Sequence, residues 1–586
     1  MERCFRFSPS VLMLGMGLLL GLINSARGQA PTFDQAGECG VGLAPGSYAS
    51  VNRVRADALG NTYVVGLFSG SVRFGGTTLT GTGSYDAFVA KRDAAGAWLW
   101  ASGGGSAEGD QFADVALDAQ GQVYAVGSFA QSSGSVPATF GNTTLTSAGY
   151  SDVLMAKLDG TTGAWLWVQQ AGFGNANTGR DSGRAVAPDG AGGVLVAGTF
   201  DGPSLPVGAT VLQNVGRGTD LFVARLDAAT GAWGWAVSTG HGTVADLAAD
   251  AQGNAYLTGD FGSGIAFSSL FPLTQQRGSY IAKINRLGVW QWAQALPGTS
   301  GTGTFPGGFG GTVCRGLATD DRGHLYACGN FSGATARFGA TTLTNTSGTY
   351  QGPALGSIQN DDAFVARLNA ATGAWQWAVR GGSVDGEELN RIAVRGSRVY
   401  AAGIFGRGSQ LDPGTPSAGG SRFGTTALVS AGKYDIVVAA LDTVGGWQWA
   451  LRAGGPDQDD VTTLALDAGN RLHFAGTSSY GGSAQFGTFT VTSGGYLARL
   501  SGGPLAARPS AGQAPFALYP NPARSVVTVE GLPPGQAVQV LDALGRIVLK
   551  GALSAQGALQ LALPAALPPG LYLVRAGTLA QRLVVE

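Results

Sequence analysis

The stretch that decides the fold is GQVYAVGSF at residues 121–129, followed by SDVLMAKLDGTTGAWLW at residues 151–167. In both runs apolar residues alternate with small or polar ones, and Gly and Asp bound the runs. This pattern is typical of β-strands and shows no competing helical period. All twelve Trp residues lie in Trp-x-Trp pairs that follow the second run, at 98/100, 165/167, 233/235, 290/292, 375/377 and 447/449.

Both runs recur along the chain. The first begins at residues 60, 121, 192, 253, 323, 397 and 470, and the second at 86, 151, 219, 279, 362, 434 and 495. A spacing of roughly 60 to 80 residues indicates a repeat architecture. Four strands in each of seven copies predict an all-β fold, a seven-bladed β-propeller over residues 29–502. An open β-solenoid is the alternative, and a shorter element such as FGGTTL at 74–79 adds an extra strand to each unit.

A repeated turn lies between the first two predicted strands of several copies. An Asp stands three residues before a Gly in each, at Asp57, Asp118, Asp189, Asp250 and Asp320. Asp accepts hydrogen bonds from turn amides and Gly adopts positive φ, so the spacing predicts a tight hairpin. Calcium binding by these aspartates is the alternative, although one carboxylate per turn is far from a full calcium coordination shell.

These motifs resemble a known repeat. Gly60-Asn-Thr-Tyr63-Val-Val-Gly66, then Asp86-Ala-Phe-Val-Ala-Lys91, then an aromatic strand and a Gly-rich loop are similar to the SBBP β-propeller repeat of secreted bacterial proteins. The resemblance covers most of the chain and implies the propeller fold. It implies no defined reaction.

The chain begins with a predicted signal peptide at residues 1–28. Arg3 and Arg6 precede an apolar run from Val11 to Ile23, which is too short to span a bilayer, and small residues follow. We therefore expect an exported protein with no transmembrane anchor, located outside the cell or on the outer cell surface. Export also permits disulfides.

The C-terminal part is a separate predicted domain. Residues 503–515 form a Gly/Pro/Ala linker, and the short alternating strands of residues 516–586 predict a small Ig-like β-sandwich. This segment resembles the type A sorting domain of the type IX secretion system, which implies the type IX machinery as partner and, in many members, attachment to surface lipopolysaccharide. An ordinary Ig-like accessory domain is the alternative. The matching motif residues are Tyr519, Pro520, Asn521, Pro522, Asp542, Gly545, Arg546, Gly570 and Tyr572.

Composition excludes several function classes. Charged residues make up 12% of the chain and nearly cancel, to a net charge of −1, so no basic field attracts nucleic acid. Three His and four Cys leave little material for metal or nucleophile chemistry. The sequence therefore predicts no catalytic residues, no cofactor and no enzymatic activity.

Two sets of residues are candidates for a special role. Four acids occupy one position of the repeat, Asp110, Asp181, Glu387 and Asp459, where they could ring a mouth of the central channel and bind a cation such as calcium, or a sugar. Loop capping is the alternative for these carboxylates. Cys314 and Cys328 lie on the two arms of one predicted hairpin, so they form either a cross-strand disulfide or a pair of buried thiols.

The functional hypothesis is a structural or adhesive propeller that presents loops to glycans or proteins. The alternative is a secreted propeller enzyme that acts on polysaccharide at the channel mouth. Two structural expectations accompany the predicted propeller fold. The Trp pairs should be buried between neighbouring blades, because residues two apart on a strand share a face. The last copy lacks its Trp strand, so residues 32–37 should pair antiparallel with residues 495–501 and complete the last blade.

Overall fold

A computed structural model describes residues 31–501 and 516–585. It leaves out short segments at 132–134, 173–178, 215–217, 263–264, 276, 298–310, 347–348, 353–355, 408–419, 479–481, 493, 531, 533–535, 543–545, 553–557, 565–566 and 577–578. The predicted signal peptide and linker lie outside the described residues. The chain divides into two compact units, Met1–Gly503 and Pro504–Glu586. Every helix or strand element among the described residues is a β-strand.

Four-stranded antiparallel meanders build the first unit, and we number them as sheets 1 to 7 in chain order. Sheets 1 to 3 consist of Tyr48–Ala56, Thr62–Ser69, Asp86–Arg92 and Trp98–Gly105; Gln111–Leu117, Val123–Phe129, Asp152–Leu158 and Trp165–Ala171; and Ser182–Pro188, Gly193–Phe200, Asp220–Asp227 and Trp233–Thr239. Sheets 4 and 5 consist of Asp246–Ala249, Ala255–Phe261, Gly278–Ile284 and Trp290–Ala295; and Thr312–Thr319, His324–Phe331, Asp362–Asn369 and Trp375–Gly381. Sheets 6 and 7 consist of Gly386–Arg395, Arg398–Arg407, Asp435–Asp442 and Trp447–Ala453; and Asp459–Leu466, Leu472–Ser478, Gly494–Leu500 and Phe33–Glu38.

The sheets are arranged radially. The first strand of each sheet contacts the first strand of the next, and the first strand of sheet 7 contacts that of sheet 1. Each sheet is therefore an up-and-down meander with its first strand at a central channel, which is the architecture of a β-propeller.

The N-terminal strand completes sheet 7, as predicted. Phe33–Glu38 pairs antiparallel with the strand at 494–500, so that Phe33 is opposite Leu500 and Glu38 is opposite Tyr496. The Phe33 ring packs edge-on against Phe474, at a centroid distance of 5.9 Å. The chain therefore supplies the fourth strand of its last sheet from its own N-terminal side.

The short FGGTTL-type elements form hairpins beside the main sheets. They comprise Ser71–Phe74 with Thr77–Thr80, Pro137–Phe140 with Thr143–Thr146, Ser204–Val207 with Thr210–Gln213, Thr335–Phe338 with Thr341–Thr344, Ser421–Phe423 with Thr426–Leu428, and Ala484–Phe486 with Phe489–Val491. Three further strand pairs lie in loops: Val41–Gly42 with Ser71–Phe74, Ile265–Ala266 with Pro272–Leu273, and Thr349–Gly352 with Gly356–Gln359. The hairpin of the second repeat pairs with the fourth strand of sheet 1, so these elements link consecutive sheets.

The Trp pairs are buried in two different ways, and the prediction of partial or full burial is confirmed for all twelve side chains. The first Trp of a pair packs on the Phe of its own hairpin, as Trp98 does on Phe74 at a centroid distance of 5.0 Å. The second lies against the turn of the next sheet, as Trp100 does against Gly163. Because Gly163 adopts positive φ and a Cβ there would be 2.6 Å from the indole, the turn residue must be small.

A Gly in the middle of each second strand recurs for a steric reason. The first strand of most sheets carries a β-bulge opposite this Gly, which moves a carbonyl oxygen of the first strand close to its Cα. A Cβ at Gly259 would be 1.9 Å from the carbonyl oxygen of Thr243, and the equivalent Gly residues are equally confined.

We expect Gly259→Ala to lower the free energy of unfolding by about 3 kcal/mol, because the added methyl group must displace backbone rather than a flexible side chain. Chemical denaturation of the purified protein measures the change. Gly262→Ala is the matched control, since nothing lies within 4 Å of a Cβ at that position. Equal stabilities of the two variants would contradict the steric explanation.

The second unit contains two small sheets. One consists of Ala517–Tyr519, Val526–Glu530 and Ala558–Ala562, and the other of Ala537–Leu541, Ile547–Ala552, Gly570–Ala576 and Leu579–Val585. Buried side chains from both sheets, including Val529, Val540 and Val574, form one hydrophobic cluster. This unit therefore has a core of its own.

Of the two alternatives for Cys314 and Cys328, a cross-strand disulfide or a pair of buried thiols, the structure shows the second. Cys314 and Cys328 are buried free thiols, and Cys39 is a third. Cys314 packs with sheet 4 residues such as Tyr256, whereas Cys328 packs with sheet 6 residues such as Leu389, so the two thiols lie on opposite faces of sheet 5. The β-bulge between Cys314 and Gly316 breaks the two-residue alternation on which the prediction depended. Burial raises the pKa of Cys39 and of Cys314 to about 12, so these thiols are unreactive at neutral pH.

Candidate functional site at the central channel

A buried arginine crosses the channel. Arg53, on the first strand of sheet 1, donates to Asp114 of sheet 2 and to Asp246 of sheet 4, at 2.6 Å in each case. Burial alone would lower the pKa of Arg53, but the two carboxylates outweigh it and raise the pKa. Burial would likewise raise the pKa of Asp114, but Arg53 and Arg55 outweigh it and lower the pKa. Arg53 and Asp114 are therefore both charged.

Hydrogen bonds extend from this ion pair to the remaining sheets. The second oxygens of Asp114 and Asp246 accept from the backbone N–H groups of Val186 in sheet 3 and Leu317 in sheet 5, at 3.0 and 2.9 Å. The Val54 N–H donates to Thr463 of sheet 7 at 3.0 Å. In sheet 6, a further arginine donates to two neighbouring sheets: Arg391 reaches the carbonyls of Thr462 and Arg315. One network therefore joins all seven first strands.

A cavity of about 420 Å³ opens on one side of this layer. An alanine from most first strands lines it, and so do Arg53, Arg55, Arg391 and Asp246. Burial, followed by repulsion from Arg53, lowers the pKa of Arg391 to about 10. This side of the channel is a vestibule with small side chains in its walls that ends at a charged layer.

A second charged cluster involves sheets 5 and 6, near the ends where the first strands begin. Arg315 donates to Glu388 at 3.2 Å, Arg407 lies 3.7 Å from the same carboxylate, and Arg407 also lies 3.6 Å from Asp361. Asn330 connects them, because it donates to Asp361 at 3.0 Å and accepts from Arg315 at 3.1 Å. We call Arg315, Asp361, Glu388 and Arg407 the mouth cluster.

The mouth cluster breaks the symmetry of the repeat. The strand pairings place Glu388 in register with Ser50, Gln111, Ser182, Thr243 and Val313, and only Asp460 is also acidic. Asp361 is in register with Tyr85, Ser151 and Tyr434. The second-strand Gly, by contrast, keeps one residue type throughout, because every sheet has the same close backbone contact there. The mouth cluster is therefore particular to sheets 5 and 6 and is not part of the common repeat.

A cavity of about 650 Å³ lies beside the mouth cluster, where sheets 7 and 1 meet. Tyr48 and Tyr434 line it together with Glu38, Gln458, Asp460 and backbone of residues 40–42 and 46–50. We call this cavity the seam pocket. Tyr48 is 37% exposed, so an aromatic face is available to a ligand.

The seam pocket and the mouth cluster share one electrostatic environment. Burial raises the pKa of Asp460; Glu388 raises it further, and Arg315 lowers it. The pKa of Tyr434 is raised by burial and by Asp460, and lowered by Arg407. Burial also raises the pKa of Asp361, against the effect of Arg407. The two features therefore form one polar surface with two tyrosines, several carboxylates and two guanidinium groups.

The four acids predicted at a channel mouth lie elsewhere. Asp110, Asp181, Glu387 and Asp459 are at most 2% exposed and lie between neighbouring sheets rather than at an open mouth. Asp110 accepts from Ser106 and Ala130 backbone N–H groups at 2.7 and 2.9 Å. Of the two alternatives for these acids, the ring at a channel mouth is wrong because the side chains point away from the channel, and the hydrogen bonds of Asp110 are those of a loop cap.

The turn aspartates act as predicted for tight hairpins. Asp118, for example, accepts from the N–H groups of Gln120 and Gln122 and from the hydroxyl of Tyr124, each at 2.8–2.9 Å. In the last repeat His473 replaces this Tyr, is buried, and contacts Asp467 at 3.1 Å. The turn carboxylates are thus already saturated by the hairpin.

Several motif residues of the C-terminal unit hold loops. Arg546 donates to Asp542 at 2.7 Å, Asn521 accepts from the N–H of Val584 at 2.8 Å, and Tyr572 donates to the carbonyl of Pro568 at 2.7 Å. Tyr519 is 48% exposed, and Gly545 lies outside the described residues.

A membrane-spanning helix and a cluster of metal ligands are both absent from the described residues. No helix in this part of the chain is long and apolar enough to cross a membrane. No group of three or more His, Cys, Asp or Glu side chains converges on one point within the same residues.

Residues 517–586 match the family described as the secretion system C-terminal sorting domain. Proteins that carry this domain are exported by the type IX system, so the protein is secreted to the cell surface or the extracellular space. No curated protein matches the sequence.

The chain is also similar to solved propellers. One is the Pan2 WD40 domain of Neurospora crassa, at 9% identity over 77% of this chain and 89% of that chain, with a TM-score of 0.36. Another is the WD40 repeats of RRP9, at 10% identity over 80% of this chain and 99% of that chain, with a TM-score of 0.39. These scores are low, and the strand topology described above is what defines the fold.

Proposed function

We propose that the protein is an adhesive, glycan-binding propeller at the cell surface or outside the cell. In this proposal the seven sheets are the blades of a seven-bladed propeller of SBBP-type repeats, and the two sheets of the C-terminal unit form an Ig-like sorting domain. The type IX machinery exports the chain, and surface lipopolysaccharide is a candidate attachment point. The ligand is a polar carbohydrate that binds at the mouth cluster and the seam pocket.

The observation that carries this proposal is the symmetry break at the channel mouth. Arg315, Asp361, Glu388 and Arg407 lie at positions where the other repeats carry mostly neutral residues, so the common fold of the repeat does not account for them. Guanidinium and carboxylate groups bind hydroxyl groups directionally, and a partly exposed tyrosine offers a face for the apolar side of a sugar ring. The seam pocket has a size typical of small-ligand sites.

We expect Tyr48→Ala and Glu388→Gln each to weaken polysaccharide binding at least about tenfold, because each removes a side chain of the proposed ligand surface. Binding of the purified full chain to an immobilised polysaccharide panel measures the loss. Tyr519→Ala is the matched control, since it removes an exposed tyrosine from the other unit. The proposal is wrong if no polysaccharide binds, or if the control weakens binding as much.

A hydrolytic role is the second candidate. Asp361 and Asp460 favour it, because burial raises the pKa of both carboxyl groups and a raised pKa is typical of a carboxyl group that acts as a general acid. Release of reducing ends from the bound polysaccharide, lost in Asp361→Asn or Asp460→Asn, would support hydrolysis over adhesion.

A further inference from the structure

Buried carboxylates occur in pairs where neighbouring sheets meet. In each pair, one acid opens the third strand of a sheet and the other lies at the start of the first strand of the next sheet or directly before it. The pairs are Asp86 with Asp110, Asp152 with Asp181, Asp362 with Glu387, and Asp435 with Asp459. All eight side chains are at most 2% exposed. We call these the junction pairs.

The backbone register is the same at every junction pair. The N–H of the second acid donates to the carbonyl of the residue before the first acid, as Asp110 does to Tyr85 at 2.9 Å and Asp459 to Tyr434 at 3.1 Å. Glu387 and Asp181 repeat this contact with Asp361 and Ser151 at 2.8 Å. The two acids of each pair are therefore held next to each other by the fold.

The carboxylate oxygens of a pair converge over a glycine. A Cβ on Gly382 would lie 2.5 Å from Oδ1 of Asp362 and 2.5 Å from Oε2 of Glu387. A Cβ on Gly454 would lie 2.5 Å from Oδ1 of Asp435 and 2.9 Å from Oδ2 of Asp459. Both acids thus direct an oxygen to the same small region, which a glycine keeps free of side chain.

Some of these oxygens have no hydrogen-bond donor. Oδ1 of Asp152, of Asp362 and of Asp435 is buried without a partner, although each side chain is fully buried. Their other oxygens are satisfied, for example by the Ala431 N–H, which donates to Asp435 at 2.7 Å. An unpartnered carboxylate oxygen beside a second carboxylate is costly unless a positive charge or a proton lies between them.

At most junctions the two acids of a junction pair are either both present or both absent. Where sheets 4 and 5 meet, the corresponding residues are Gly278 and Thr312, and where sheets 7 and 1 meet they are Gly494 and Ala49. Only the junction of sheets 3 and 4 keeps a single acid, Asp220. Independent loop caps would not be expected to vary as pairs, whereas two ligands of one ion would.

We propose that each junction pair binds one divalent cation, with calcium as its natural occupant, between its two carboxylates. Calcium accepts backbone and hydroxyl oxygens as well as carboxylates, and hydroxyls are at hand: Ser106 lies 2.9 Å from Asp110, and Ser421 lies 2.5 Å from Glu387. This site lies between sheets and is separate from the ligand surface proposed at the channel mouth. Its role is to join neighbouring sheets.

The four sites differ in whether an arginine lies beside the two carboxylates, and this difference sets the order of their calcium affinities. Arg380 contacts Asp362 at 2.8 Å and Arg452 contacts Asp435 at 3.0 Å, so two pairs already have one positive neighbour. The pairings place Gln170 at the equivalent position of sheet 2 and Gly103 at that of sheet 1. The pairs Asp86/Asp110 and Asp152/Asp181 therefore bind calcium more tightly than the other two.

The experiment compares the melting temperature of the full chain in calcium and in EDTA, at pH 7.5. We expect calcium to raise the melting temperature of the wild-type protein by about 5 °C or more, since a ligand that binds only the folded state stabilises it. The change in melting temperature that Asp152→Asn causes, relative to the wild type, should have opposite signs in the two conditions. In EDTA it relieves repulsion and melts above the wild type, and in calcium it lacks one ligand and melts below the wild type.

Asp250→Asn is the matched control, because it alters a turn aspartate and leaves all junction pairs intact. Its calcium-induced shift should equal that of the wild type. Terbium luminescence on the wild-type chain gives a second readout that needs no variant, and we expect at least two tight sites. An unchanged wild-type melting temperature with no bound terbium would overturn the proposal and assign a shared proton to each pair. Loss of the shift in Asp250→Asn would overturn it in favour of the turns.

Discussion

Replacing Arg53 with Met should lower the free energy of unfolding by about 4 kcal/mol, the largest effect we expect from a single substitution in this protein. Asp114 and Asp246 are buried and lie 2.6 Å from the guanidinium group. Met fills a similar volume but provides no charge, so both carboxylates would lose their main counter-ion in a water-poor layer. Denaturation by urea, followed by Trp fluorescence, measures the loss.

Two further variants separate charge from packing. Arg55→Met removes a guanidinium that is 3.3 Å from Asp114 and partly exposed, so it should cost only about 1 kcal/mol. The triple variant Arg53→Met, Asp114→Asn, Asp246→Asn removes the uncompensated charges and should recover most of the stability lost in Arg53→Met. If Arg53→Met is as stable as the wild type, the network does not stabilise the contacts between the first strands.

The repeated part of this structure could be predicted from the sequence because repetition amplifies weak signals. One Gly or one Trp-x-Trp pair says little, but seven Gly at one register and six Trp pairs reveal the strands, the hairpin turns and the need for a supplied last strand. These residues recur because their contacts recur in each repeat. Trp100 packs against Gly163, for example, and Gly259 lies against the backbone of Thr243.

The candidate site could not be predicted in this way because it consists of exceptions. Arg53, Asp114, Asp246 and Arg391 lie at one register, where the other repeats carry Ala185, Gly316 and Thr463. A search for recurring residues treats such differences as noise. A search of each strand register for charged residues that replace small ones would have found the channel layer and the mouth cluster.

The β-bulges explain the remaining errors. A bulge in the first strand shifts the alternation of faces by one residue, as between Val51 and Arg53 or between Cys314 and Gly316. The two cysteines consequently lie on opposite faces of their sheet. The four predicted acids share one position of the repeat, whereas the acids beside them, such as Asp86, could be read only as strand ends.

Deleting residues 31–38 should destabilise the propeller more than any loop deletion of equal length. The strand Phe33–Glu38 is the fourth strand of sheet 7, and without it the strand at 494–500 would present unpaired backbone groups at an edge. The segment also ties sheet 7 to sheet 1, because Gln35 donates to the Ala95 carbonyl at 2.8 Å. The wild-type chain, the deletion variant and a chain that lacks residues 504–586 should be compared by thermal melting.

The second truncation is the control for chain shortening, because residues 504–586 form a unit with its own core. It should leave the propeller transition unchanged, whereas the first should lower the melting temperature by about 10 °C or more. Phe33→Ala isolates the packing contribution. This ring contacts Phe474 and Phe486 at centroid distances of 5.9 and 5.7 Å, and its loss should cost about 3 kcal/mol. Val41→Ala, at an exposed position nearby, should cost little. A deletion variant that melts with the wild type would show that sheet 7 does not need its N-terminal strand.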